Sequence, residues 1–94
     1  MNRLQNKVAI VTGANSGIGL RTAQLFAEEG AILVLCARRK EKLDEVAEAL
    51  RAQGSQVLSI AADVSREEDC VRVVEEAVKA FGRVDVLVNN AGMA

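Results

Sequence analysis

The sequence predicts an α/β fold, a three-layer αβα sandwich built around a parallel sheet. Four short apolar runs rich in β-branched residues recur at near-constant intervals, at 8–11, 32–35, 57–60 and 84–88. Strands buried on both faces are typically continuous apolar runs of this length. Helical periodicity fills the gaps, so the predicted order is β-α-β-α-β-α-β. Parallel strands, short connections and right-handed crossovers follow from that order.

The first two helices are predicted in the gaps after the first and second strands. The first spans 17–29, with loosely spaced apolar residues. The second carries an apolar stripe at i, i+3, i+4 and i+7, which covers one side of a helix. The members of that stripe are Leu43, Val46, Ala47 and Leu50.

The third helix is predicted after the third strand. The run 65–68, Ser-Arg-Glu-Glu, is typical of a capping box that opens a helix. Its apolar stripe is expected to be Cys70, Val74, Ala77, Val78 and Phe81. A glycine follows each helical pattern, where a left-handed residue commonly ends a helix; these glycines are Gly30, Gly54 and Gly82.

Length and composition limit the functions open to the chain. Its 94 residues make one domain, 1–94, and 12 Lys and Arg against 13 Asp and Glu leave a net charge of −1. That balance excludes bulk electrostatic attraction to nucleic acid or an anionic membrane. No apolar run approaches the ~20 residues of a membrane span, and the first residues lack a signal-peptide core. A cytoplasmic location is therefore expected.

Metal binding is not expected. The chain has no His, and its two cysteines, Cys36 and Cys70, are too far apart in sequence for a zinc motif. Both are interpreted as small buried hydrophobic residues.

A glycine-rich loop joins the first predicted strand to the first helix. It carries Gly13, Gly17 and Gly19, spaced G-x-x-x-G-x-G. Glycines allow a tight turn and a close approach to a ligand, and free N–H groups at a helix N-terminus favour a phosphate. A tight turn with chance glycines is the structural alternative. The position inside a βαβ unit favours a dinucleotide site, and the missing G-K-[ST] ending argues against ATP hydrolysis.

The loop sequence Thr-Gly-x-x-x-Gly-Ile-Gly resembles that of the short-chain dehydrogenase/reductase family. Asp63 and Val64 follow the third strand, where the family contacts adenine, and 89–92 is similar to its Asn-Asn-Ala-Gly motif. The resemblance covers the whole chain and implies a Rossmann-like sheet in the order 3-2-1-4. The residues that it implies for cofactor binding are Gly13, Asn15, Ser16, Gly17, Ile18, Gly19, Arg38, Asp63, Val64, Asn89, Ala91 and Gly92.

The end of the second strand indicates which dinucleotide is bound. An acid at this position hydrogen-bonds the ribose 2′-OH of NAD and repels the 2′-phosphate of NADP. Here the position is Ala37, and Arg38 follows it, able to form a charge-assisted bond to a phosphate. NADP is therefore expected in preference to NAD, and a solvated basic turn is the alternative.

The family's catalytic Ser and Tyr-x-x-x-Lys match no residues of this chain, which contains no Tyr. No catalytic residue is therefore assigned, and the chain alone is expected to be inactive. One hypothesis is that it is the N-terminal part of an NADP(H)-dependent oxidoreductase acting on a carbonyl/alcohol pair. The alternatives are a non-catalytic dinucleotide-binding half-domain and a self-associating module.

Self-association is expected through the fourth strand. In the resembled family this strand pairs with a fifth, which is not among the predicted elements. An open edge at 84–88 would have Asp85 as its only charged residue to oppose pairing with another chain, and it would therefore favour a homo-oligomer.

Overall fold

The computed structural model describes residues 2–90. The order of elements is β1 (Val8–Thr12), α1 (Gly17–Glu28), β2 (Ile32–Ala37), α2 (Lys40–Ala52), β3 (Val57–Ala61), α3 (Glu67–Phe81) and β4 (Val86–Asn89). All the strand pairs are parallel, and the sheet order is β3-β2-β1-β4, as predicted.

The helices cover the two faces of the sheet and complete three layers. On one face, α1 and α2 bury Ala23, Leu43 and Ala47 against β1 and β2. On the other face, α3 packs through Val73 and Ala77. The central strand β1 is buried along its whole length, which explains its unbroken apolar sequence.

The glycines after the helices adopt the predicted backbone conformation. Gly30, Gly54 and Gly82 have φ values of 87°, 99° and 82°. Gly82 ends α3 in the left-handed region, and its N–H donates to the carbonyl of Val78. The helix stop signals in the sequence are therefore confirmed.

The predicted capping box of α3 is wrong, and its predicted packing stripe is correct only in part. The N-cap is Arg66 without a side-chain cap bond, because the Ser65 hydroxyl instead donates to Asp63 at 2.6 Å. Of the predicted stripe, Ala77 is buried and Phe81 packs against the core, whereas Val74 and Val78 are exposed. Val73, which the stripe did not include, is buried instead.

The fourth strand begins later than predicted, at Val86 rather than at 84. Asp85 precedes β4 and does not present a free charge at its edge. Its Oδ2 accepts the N–H of Val8 at 2.9 Å, and its Oδ1 pairs with Arg83 at 2.7 Å. Leu87 is 61 % exposed, so β4 is the least covered strand of the described part. No helix within residues 2–90 is long and apolar enough to cross a membrane.

Candidate functional site

A cavity of about 1020 Å³ opens at the carboxyl ends of the strands. Ligands of open parallel sheets bind in this position, where loops from several strands meet. Every predicted site residue from Gly13 to Asn89 lies on its wall, while Ala91 and Gly92 lie outside the described residues. The wall also contains six residues absent from that prediction: Cys36, Ala37, Arg39, Ala62, Ser65 and Asn90.

The glycine loop and the start of α1 form one side of the cavity. Gly13 and Gly17 have φ values of 62° and 58°, in the left-handed region that favours glycine. Gly19 is required for a different reason. A Cβ there would lie 2.7 Å from the Gly13 carbonyl carbon and 3.1 Å from the Thr12 oxygen, so the helix could not approach the loop this closely.

The N-terminus of α1 is free to receive an anion. Its N-cap, Ser16, is extended and makes no side-chain cap bond, and the first turn contains no acidic residue. First-turn N–H groups that no side chain caps, together with the positive end of the helix dipole, favour a phosphate. A Cβ on Gly17 would meet no atom within 4 Å, so the glycine leaves open space beside these groups.

Two guanidinium groups line the cavity after the end of β2, the strand beside β1. Arg38 and Arg39 follow β2 and line the wall, and both are exposed. Lys40 does not line it, because its Nζ pairs with Asp44 at 3.3 Å along α2. Of the three consecutive cations 38–40, Arg38 and Arg39 therefore line the cavity and Lys40 does not.

The segment after β3 forms the third side. The carboxylate Oδ1 of Asp63 accepts the backbone N–H of Ser65 at 3.0 Å and its hydroxyl at 2.6 Å. These bonds, followed by the charges of Arg38 and Arg66, hold the pKa of Asp63 below its ordinary value. Asp63 therefore carries its negative charge at neutral pH.

Thr12 joins the first and fourth strands below the cavity. Its hydroxyl donates to Asn89 Oδ1 at 2.8 Å and accepts the N–H of Asn90 at 2.9 Å. The buried Nδ2 of Asn90 finds no hydrogen-bond partner within the described part of the chain. A buried donor usually has a partner, so this one fits a site that receives a polar ligand.

Cys36 is the remaining ionisable side chain of interest on the wall. Burial, followed by the nearby Cys70, raises the pKa of its thiol to about 12. A thiol in this state is protonated at neutral pH and is a poor nucleophile. Cys36 belongs to the packed core, as predicted, whereas Cys70, also predicted to be buried, is only partly buried.

The charges and donors around the cavity fit a phosphate-bearing ligand with a second anionic group near β2. Sequence reasoning missed Arg39 and Ser65 as wall residues. Their signals were present: Arg39 adjoins Arg38, and Ser65 stands two residues after Asp63, a spacing typical of Asx-turns. Within residues 2–90, no group of three or more His, Cys, Asp or Glu residues is placed to hold a metal ion.

The family model described as short chain dehydrogenase matches residues 7–94. The chain is 53% identical over 91 residues to 11-beta-hydroxysteroid dehydrogenase 1A of Arabidopsis thaliana; the match covers 96% of this chain and 26% of the plant protein. The chain thus spans about a quarter of the length of that relative.

Two solved structures have the same fold. L-sorbose reductase from Gluconobacter frateurii, complexed with NADPH and L-sorbose, superposes with a TM-score of 0.93 at 47% identity; the match covers 98% of this chain and 36% of the reductase. A short chain dehydrogenase/reductase from Burkholderia phymatum in complex with NAD superposes with a TM-score of 0.88 at 36% identity, covering 93% and 31% of the two chains. Similar folds therefore hold either dinucleotide.

Proposed function

Because the chain belongs to the short-chain dehydrogenase family, we propose that it binds NADP(H) as the cofactor-binding half-domain of an oxidoreductase. A protein that combines this half-domain with the family's catalytic residues would transfer hydride between a carbonyl and an alcohol, and the nicotinamide ring supplies or accepts that hydride when bound. The observation that best supports this proposal is that one cavity is lined both by the uncapped N-terminus of α1 and by the guanidinium groups of Arg38 and Arg39.

Each side of the cavity has a separate role in this proposal. The first-turn N–H groups of α1 and the glycine loop would hold the pyrophosphate. Asp63 and Val64 would contact the adenine, and Asn89, Ala91 and Gly92 would support the nicotinamide half. Asn15, Ser16 and Ile18 complete the loop side.

Arg38 and Arg39 support NADP over NAD. A 2′-phosphate near β2 would accept charge-assisted bonds from either guanidinium. Ala37 presents no carboxylate to repel that phosphate, and Lys40 is already paired with Asp44. The relatives' complexes with NADPH and NAD are consistent with either choice.

Binding by the 94-residue chain is expected to be weak, with a Kd of ~0.1–1 mM, because it would hold mainly the adenine and phosphate groups. Turnover is proposed only for a protein that also carries the family's catalytic residues.

Titration with NADP+ and NAD+ tests the selectivity. Arg38→Ala should weaken NADP+ binding by ~1.5–3 kcal/mol and change NAD+ binding little, since a bond to a charged group is lost. Arg39→Ala should act in the same direction. Lys40→Ala is the matched control and should bind both dinucleotides as the wild type does. Equal losses for both dinucleotides on Arg38→Ala would show that this residue does not read the 2′-phosphate.

We also propose that the 94-residue chain self-associates through β4, as a second, non-catalytic property. Within residues 2–90, β4 pairs only with β1, and Leu87 on it is exposed. An unprotected edge is a template for another strand, and a two-fold dimer is the simplest closed arrangement.

A cytoplasmic location is proposed too, supported by two unpaired cysteines, which suit a reducing compartment.

A further inference from the structure

The segment between β3 and α3 has no regular structure, yet it forms one wall of the cavity. Side chains of α3 form hydrogen bonds to this segment and to the end of β3. The guanidinium of Arg72 donates to the carbonyl of Ala61 at 2.8 Å, and the thiol of Cys70 to the carbonyl of Val64 at 3.1 Å.

The shortest backbone contact in this set belongs to Asp69. Its Oδ2 accepts the backbone N–H of Asp63 at 2.7 Å, and its Oδ1 lies 3.8 Å from the Arg72 guanidinium. The Asp69 side chain is 22% exposed, so the bond is partly shielded from water. A carboxylate bond to a backbone N–H is charge-assisted and strong under these conditions.

The position of Asp69 distinguishes this bond from an ordinary helix cap. In a capping box the third helical residue accepts the N–H of its own N-cap. Here the N-cap, Arg66, donates its N–H to the carbonyl of Asp63, and Asp69 reaches past it to the N–H of Asp63 itself. The carboxylate thus serves the cavity wall rather than the end of the helix.

We propose that Asp69 is a positioning residue for the dinucleotide site: it fixes the backbone at Asp63 and so orients the Asp63 carboxylate and the Val64 backbone toward the ligand. This inference rests on the proposed function. Arg72 assists by holding both Asp69 and the end of β3.

Binding of adenosine 2′,5′-bisphosphate, followed by NMR with the 94-residue chain, tests the proposal. Asp69→Ala should bind about ten-fold more weakly, equivalent to the loss of one bond to a charged group. Asp69→Asn should bind with an affinity between those of the wild type and Asp69→Ala, because its amide oxygen still accepts the Asp63 N–H but carries no charge. Glu68→Gln is the control: it removes an exposed first-turn acid that contacts Arg66, and it should bind normally.

Stability is measured in parallel by urea unfolding. If Asp69→Ala does not fold, Asp69→Glu replaces it, because this variant keeps an acid in the first turn and displaces the carboxylate by one methylene. The expected result is weaker binding with near-normal stability and altered amide shifts at Asp63 and Val64. A folded Asp69→Ala or Asp69→Glu variant with wild-type affinity would overturn the inference and leave the proposed function intact. A wild-type chain that binds neither NADP+ nor the bisphosphate would instead remove the proposed function, and this inference with it.

Discussion

Two glycines of the same loop are required for opposite physical reasons. Gly19 is required by a close contact, because a Cβ there would overlap the backbone of Gly13. Gly17 is required by its φ of 58° and by the open space that it leaves in the cavity. Gly19 therefore supports the fold and Gly17 supports the ligand site, although the sequence motif does not distinguish their roles.

Gly17→Ala is therefore expected to weaken dinucleotide binding more than it weakens the fold. The methyl group would enter the cavity beside the first-turn N–H groups, while the left-handed conformation costs about 1–2 kcal/mol of stability. Gly54→Ala is the matched control, since Gly54 also has a positive φ and open space but lies at the end of α2. Both variants should lose similar stability in urea, and only Gly17→Ala should bind NADP+ more weakly. Equal affinities would remove Gly17 from the proposed site.

Single residues also mark the limit of prediction from sequence. The glycine loop could be located from its place between a strand and a helix, and Arg38 from its place after the second strand, whereas Asp63 was implied by the family resemblance. Asp69 could not be located, since its role depends on a contact across the connection that precedes α3. The Ser65 capping box was wrong for a related reason: Asp63, two residues earlier, is a nearer partner for the serine hydroxyl than the helix end.

At the scale of elements, the predicted order of strands and helices is confirmed, whereas the predicted packing face of α3 is confirmed only at Ala77 and Phe81. Valines occur at 71, 73, 74 and 78, so apolar residues surround much of this helix and periodicity does not single out one side. The larger apolar residues of α2 lie on one side of the helix only, so periodicity identifies its packing face. The stripe from Leu43 to Leu50 is buried as predicted. When a helix has apolar residues on two faces, tertiary packing determines which face is buried.

Asp85 connects β1 with the start of β4 and makes stability depend on pH. Bonds from Arg83 and then from the Val8 N–H lower the pKa of its carboxyl in the folded state. A carboxyl with a lowered folded pKa stabilises the fold above its ordinary pKa and loses that contribution as pH falls through the folded value. Unfolding experiments from neutral to acidic pH should show Asp85→Asn less stable than wild type near pH 7, with the difference shrinking in acid.

Glu41→Gln is the control for that experiment, because Glu41 is an exposed carboxylate in the first turn of α2. Between neutral and acidic pH, the loss of stability relative to wild type should change more for Asp85→Asn than for Glu41→Gln. If Asp85→Asn kept the wild-type profile, the carboxylate would contribute no pH-dependent stability.

At the scale of the whole molecule, the two edges of the sheet are protected differently. On β3, the carbonyl of Val57 accepts the Arg51 guanidinium at 2.8 Å, and the carbonyl of Ala61 accepts that of Arg72. Within the described residues, β4 has no comparable arginine contacts. Side chains that occupy edge carbonyls discourage pairing with another chain, so β4 is the more reactive edge.

Self-association of the 94-residue chain should therefore depend on β4 and not on β3. Leu87→Lys places a charge at an exposed position of β4, where charged side chains oppose edge pairing, with little cost to the core. Light scattering at tens of micromolar should show a dimer or larger species for the wild type and a monomer for Leu87→Lys. Ser59→Lys, on β3, is the control and should associate as the wild type does, provided that urea unfolding shows it folded. Hydrogen exchange adds a second readout, because pairing should slow the amides from Val86 to Asn89. A wild-type monomer with fast exchange in β4 would contradict the association model and leave the cofactor site unaffected.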